Sequence, residues 1–251
     1  MDPILPILDH PRPLDLVQQA LDAHQKDIHA QFLAEKDLTP RQAGAWRDHL
    51  LISMLCRLPL RAKHWGLMSY LQNNTGSLRF HPVDGWLLVV PFDEFKNVRN
   101  TKIFNAYGGV RELVLRLSEL ESFQSLVPTL EFYLETVWSK IPNQSDRLFP
   151  SNTGLLLRTP IVTQRVRSWS EFYLSEHAVK GIQIPGVRPF GAHAFRDIVA
   201  THIIKTTGSI EMAANILLDD VATVEKHYAR FLPENRLTNA MNSFSNVFAP
   251  A

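Results

Sequence analysis

The 251-residue chain has a single cysteine, Cys56. That excludes an internal disulfide framework and any cage of thiolates around a metal. No apolar run approaches the roughly 18–20 residues needed to span a membrane. The start, Met1-Asp-Pro-Ile-Leu-Pro6, lacks the basic residues and apolar stretch of a secretory signal. These absences suit a reducing cytoplasm. The ten histidines include no His-x-x-x-His pair and no grouping with carboxylates at metal-ligand spacing. Internal repeats and low-complexity tracts are also missing. The net charge is only +1, so average charge gives no reason to bind nucleic acid.

The distribution of charge is more informative. Residues 51–116 carry 9 basic and 4 acidic side chains, and residues 140–205 carry the same numbers. The remaining three blocks are acidic. Two basic stretches on a nearly neutral chain can form a face with phosphate affinity through counterion release. The composition, 45% hydrophobic and 20% charged, is that of a folded protein large enough to bury a core.

Apolar spacing predicts a mainly α chain with a small antiparallel β-sheet, an α+β class. Residues 1–13, with Pro3, Pro6, Pro11 and Pro13, are expected to be extended. Leu14, Val17, Leu21, Ile28 and Phe32 keep helical spacing. Thr39-Pro40 marks a second helix start, and Pro59 should bend or end that helix just before Arg61. Asn73-Asn-Thr-Gly76 and Asp84-Gly85 are turn signals, placing a sheet within residues 66–103 and Lys96 in the loop after its most apolar strand. Helices are expected over 108–140, 160–177, 210–218 and 221–230, with another carrying His193. The chain divides as residues 1–38, an N-terminal extended and helical segment, 39–232, the main domain, and 233–251, a tail with one short amphipathic stretch.

His193 and Arg196, three apart, would share a helix face. A histidine can donate a hydrogen bond or move a proton near neutral pH, and an arginine offers a charged fork to phosphate. Tyr228 follows at the end of the last helix pair. Upstream stand Arg61, in Leu58-Pro-Leu-Arg61, and Lys96, in Phe92-Asp-Glu-Phe-Lys96-Asn97. Each piece alone also fits a packed tyrosine, a satisfied histidine or a solvated cation.

In that order, Arg61, Lys96, His193, Arg196 and Tyr228 resemble the catalytic set of the tyrosine recombinase (phage-integrase-like) family, over roughly residues 40–232. The resemblance implies the catalytic-domain fold of that family and cleavage and rejoining of double-stranded DNA through a covalent 3′-phosphotyrosine. It implies no metal and no cofactor. Partners would be duplex DNA and further copies of the chain, as a dimer or tetramer on DNA, in a bacterial cytoplasm. The tail would then dock on a neighbouring protomer or pack on its own domain. Arg165 and Arg167 would contact the DNA backbone. A type IB topoisomerase shares the chemistry, and a module that has lost catalysis shares the fold. Two positions depart from the family pattern. Leu217-Leu218-Asp219 stands where the family has Leu-Gly-His, so Asp219 is expected to cap the next helix or pair with a clamp arginine. His227 and His202 are the alternative donors. Asp197 stands where a histidine is common, and would orient a clamp residue or face solvent.

Overall fold

The computed structural model describes residues 2–34, 38–71, 73–91, 112–142 and 146–232. Lys96 and the tail 233–251 lie outside them. The architecture is mainly helical with one small antiparallel sheet.

Helices α1 (Leu5–Asp9), α2 (Pro13–Ala34) and α3 (Pro40–Arg57) open the chain. The proline-rich start is therefore partly helical, against the extended conformation expected for it. Pro6 falls in the first turn of α1, where its missing N–H removes no helical bond. Burial of Ile7 and Leu8 then holds the turn against the core. The start of α3 is as predicted. Thr39 Oγ1 accepts from the Gln42 amide at 3.3 Å, and the Gln42 side chain accepts from the Thr39 amide at 2.8 Å. This reciprocal pair satisfies two otherwise orphaned donors.

The core forms around α3, with Leu50, Leu51, Ile52, Met54 and Leu55 fully buried. Arg47 is also wholly buried. Its guanidinium donates to the Pro150 carbonyl at 2.9 Å, to Asn152 Oδ1 at 2.8 Å and to Asp48 Oδ1 at 2.7 Å. A buried charge is tolerated when its donors are satisfied in this way. The same contacts tie α3 to the loop around residue 150. Between α2 and α3, His24 and His49 meet with Nδ1 atoms 3.4 Å apart, and the His24 ring lies 4.6 Å from that of Tyr173. Burial lowers their pKa values to about 4 for His24 and about 3 for His49.

Pro59 ends α3 as expected. Leu58 is extended, and Arg61 precedes the short helix α4 (Ala62–Leu67). The sheet orders β1 (Leu78–His81), β2 (Gly85–Pro91) and β3 (Glu112–Arg116) side by side, all antiparallel. Leu78 pairs with Leu88 and Phe80 with Trp86, so Asp84-Gly85 closes the hairpin as read. Gly85 has φ +71, a conformation that favours glycine. β3 is a correction, because its residues fall within the predicted 108–140 helix. Leu113 and Leu117 are four apart, which suits both a helix and the two-residue period of a strand. Leu113 is buried while Glu112 and Val114 are exposed, and β2 supplies the ladder through Leu88–Leu115 and Val90–Leu113 pairs.

Helix then resumes through α5 (Glu121–Gln124) and α6 (Val127–Phe132), which widens into a π turn at Tyr133–Val137. α7 spans Thr159–Tyr173 and stops short of the predicted 177. Leu174–Ser175 (β4) instead pairs in parallel with Ile182–Gln183 (β5). The chain finishes with α8 (Ala194–Thr207), α9 (Ile210–Leu217) and α10 (Val221–Tyr228). α8 is the central one of these, packing on α2, α3, α9 and α10.

Candidate active site

The first turn of α8 carries the site. Phe195, Ile198 and Val199 drive the helix into the core. That burial takes Arg196 down with it, to 5% exposure. Its Nη1 donates to the Pro59 carbonyl at 2.8 Å and its Nη2 to Asp219 Oδ2 at 3.0 Å. The break at Leu58-Pro59 makes the first bond available, since a carbonyl inside a continuing helix would have an amide partner.

Arg61, just beyond that break, points its Nη2 at the same Asp219 oxygen, at 3.6 Å. The Arg61 side chain remains 39% exposed. One carboxylate oxygen thus bridges two guanidinium groups. Burial and the neighbouring positive charge of Arg61 lower the pKa of Arg196, while Asp219 and Tyr228 act in the opposite direction.

Asp219 reaches this position through a left-handed turn. α9 ends at Leu217, and Leu218 takes φ 49 and ψ 49. The Asp219 amide then bonds the Ala214 carbonyl at 3.0 Å. A non-glycine residue in this conformation carries strain of order 1–2 kcal/mol. Of the two roles expected for Asp219, pairing with an arginine is the one seen, and Asp220 stands at the cap of the next helix. Its other oxygen, Oδ1, accepts from the Asp220 amide at 3.0 Å.

Tyr228 ends α10, half-buried, and its hydroxyl donates to Asp197 Oδ1. Burial first, then the hydrogen bond and negative charge of Asp197, raise its pKa above that of an ordinary phenol. Arg196 opposes this rise. Asp197 therefore faces the tyrosine.

The remaining candidates are placed as follows. His193 is exposed at the N-cap of α8, one residue before the helix it was expected to sit in. Its carbonyl accepts from the Arg196 amide at 3.0 Å. His202 is engaged elsewhere, its Nδ1 accepting from the Leu14 amide at 3.3 Å. The His227 ring is exposed, 6.2 Å from the Tyr228 ring. Arg165 pairs with Asp48 at 3.6 Å, whereas Arg167 is exposed beside Glu171 and Arg188. Among the described residues no group of His, Cys, Asp or Glu could hold a metal ion, and no helix is long and apolar enough to cross a membrane.

Arg61 and Arg196 are thus brought together on Asp219, and Tyr228 is tied to Asp197, the neighbour of Arg196. Two further participants, the Asp197 carboxylate and the Pro59 carbonyl, come with them. A backbone acceptor leaves no signature in side-chain identity. Asp197 could be found from its place beside Arg196, although the partner it faces could not.

No family model matches the chain, and no curated protein matches it. Among solved structures it is similar to XerA recombinase, with 16% identity and a TM-score of 0.49 over 94% of this chain and 62% of that one. It is also similar to XerH site-specific recombinase bound to palindromic difH substrate in a post-cleavage complex. That match has 17% identity and a TM-score of 0.45 over 92% of this chain and 52% of the other. A pre-cleavage XerH complex with difH substrate matches at 16% identity and TM-score 0.45, over 84% and 47%. The chain spans about half the length of the XerH chains.

Proposed function

We propose that this chain is the catalytic part of a tyrosine-type DNA strand transferase. More narrowly, it is a site-specific recombinase that cleaves and rejoins duplex DNA through a 3′-phosphotyrosine. The observation that carries this reading is the bridging of Arg61 and Arg196 by one carboxylate oxygen, with Tyr228 near enough for its charge to act on Arg196. A non-bridging phosphate oxygen is an anionic acceptor of the same kind, and two arginines are suited to holding it. In this reading a phosphate held there is presented to the Tyr228 hydroxyl, which attacks it.

Tyr228 then forms the new O–P bond, and the bond to the 5′ oxygen breaks. Arg61 and Arg196 stabilise the charge that gathers on the phosphate oxygens. Lys96, assigned by its place in the sequence order, delivers the proton to the leaving 5′ oxygen. His193, exposed at the mouth of α8, hydrogen-bonds the phosphate. Arg165 and Arg167 grip the DNA backbone further along. The phosphotyrosine keeps the bond energy for rejoining, so the reaction calls for no metal and no cofactor. Assembly on DNA is as a dimer or tetramer.

A second reading has one observation in its favour. Asp219 occupies the place of the phosphate and neutralises the clamp, as in a DNA-binding module that no longer cleaves. A type IB topoisomerase would share the tyrosine chemistry without a preferred sequence.

The test uses nicked duplexes with a randomised central segment, incubated with the full chain and resolved on a denaturing gel. A covalent protein–DNA adduct that disappears in Tyr228→Phe is expected, with sequencing of the trapped DNA returning a preferred site. Binding of the duplexes without an adduct overturns the enzyme reading in favour of the module. Relaxation of supercoiled plasmid with no preferred sequence favours the topoisomerase.

A further inference from the structure

A tyrosine hydroxyl ionises near pH 10 in water, so attack at neutral pH requires something to take its proton. In this protein the surroundings raise that barrier, since Tyr228 is held in its neutral form. Burial contributes most to this, and Asp197, which contributes next, is also the residue placed to relieve it. Asp197 Oδ1 accepts the Tyr228 hydroxyl proton in a direct hydrogen bond. Asp197 follows Arg196 in the first turn of α8, so one turn presents both an anion-binding cation and a proton acceptor.

We infer that Asp197 is the catalytic base that takes the Tyr228 proton as the tyrosine attacks phosphorus. This rests on the strand-transfer reading above and adds a residue to it. In the forward step the proton passes from Tyr228 Oη to Asp197 Oδ1. The Oη–P bond forms, the P–O5′ bond breaks, and the leaving 5′ oxygen takes its proton from Lys96. In rejoining, the 5′ hydroxyl attacks phosphorus and gives its proton to Lys96, the Oη–P bond breaks, and Asp197 returns its proton to the departing tyrosine oxygen. A carboxylate is a weak base toward a free phenol. It suffices here because the phenolic proton becomes acidic as the oxygen's electrons move to phosphorus, as for the aspartate that accepts a hydroxyl proton in protein kinases.

The other charged groups around the hydroxyl cannot take this part. Arg196, on the same helix, has no acceptor lone pair. Asp219, from the turn before α10, has Oδ2 committed to both arginines and Oδ1 to the Asp220 amide. His227, on α10, meets the tyrosine ring to ring, with centroids 6.2 Å apart.

The experiment compares the full chain with Asp197→Asn, which keeps the shape and an acceptor oxygen but takes no proton. The probe is the nicked-duplex library described above, in normal form and with a 5′-bridging sulfur that leaves without needing a proton. Wild-type adduct formation should be nearly flat from about pH 6.5 to 9. Asp197→Asn should be slower by about 10²- to 10⁴-fold at pH 7 and gain about tenfold per pH unit, with no rescue by sulfur. Lys96→Ala should show the opposite, rescue by sulfur. A variant within about threefold of wild type at pH 7 overturns the assignment. So does an equal loss at every pH, which marks a purely structural contact. Failure of the wild type to form any adduct overturns the strand-transfer reading itself. A measurement without DNA separates the two. In protein carrying ¹³C-labelled tyrosine, the Tyr228 ring should ionise at lower pH in Asp197→Asn, and an unchanged midpoint removes the contact on which the base role stands.

Discussion

Replacing Asp219 by asparagine removes a charge from the centre of the clamp while keeping an acceptor of the same size. The carboxylate oxygen lies 3.0 Å from Arg196 and 3.6 Å from Arg61. At an effective dielectric of about 20 these are gross attractions of about 5.5 and 4.6 kcal/mol. A phosphodiester entering the same place carries one negative charge and must displace an equal one, so most of that attraction cancels in the wild type. With asparagine the competitor is gone. Solvent around the exposed Arg61 screens its share, leaving a net gain of about 1.4–2.8 kcal/mol, or about 10- to 100-fold tighter binding of duplex DNA. Fluorescence anisotropy of a labelled duplex measures this. The slope of log affinity against log salt should also steepen by about 0.9, one further phosphate neutralised. Stability should move the other way, because Arg196 stays buried with its charge uncompensated. A loss of about 1–3 kcal/mol in urea unfolding is expected, recovered in part by added sulfate. Unchanged or weaker DNA binding by a folded Asp219→Asn protein would refute the view that this aspartate stands in the place of phosphate.

Three other outcomes test the rest of the structure. His24 and His49 are buried neutral and must gain protons on unfolding, so the unfolded chain binds more protons between their folded pKa values, about 4 and about 3, and the ordinary 6.5. Stability is therefore full above pH 6.5 and falls as pH drops through that window, by on the order of 3 kcal/mol for His24 alone; His24→Phe with His49→Leu should flatten the pH dependence of urea unfolding. Arg47→Met leaves Asp48 with Arg165 as its remaining cation and frees the Pro150 carbonyl, and should cost about 3–5 kcal/mol by the same measurement. Thr39→Ala removes the capping box of α3 and should cost about 1 kcal/mol, seen as a few degrees in thermal midpoint.

Local signals in the sequence were legible where a short-range rule decides the outcome. The Thr39-Pro40 start, the Pro59 stop and the Asp84-Gly85 hairpin depend on a few neighbouring residues, and all three stand as read. β3 was not legible, because Leu113 and Leu117 satisfy both periods and the choice was made by the open edge of β2, far away in sequence. The helix α1 was missed for a similar reason. Its turn is sustained by the burial of Ile7 and Leu8 against the core, and prolines in the segment disguise it. At the site, residue types and order were enough to nominate Arg61, Arg196 and Tyr228, and the fold places the two arginines on one carboxylate and the tyrosine on Asp197. The electrostatics were readable only in part. Two basic stretches suggested a face for phosphate, and pairing with an arginine was one of two roles open to Asp219; that a single oxygen would meet both arginines, and that Asp197 would face Tyr228, could not be read.

The stop at Pro59 has a consequence for how such a site can vary. The proline presents no functional group to a substrate, but its carbonyl seats one end of the Arg196 guanidinium. Were α3 to continue by another turn, that oxygen would turn inward to a helical amide and the arginine would lose its rest. The length of one helix is thereby converted into the aim of a positive charge on another. Substitutions that shift the helix end, remote from any reacting atom, would be felt first as a change in where that charge points.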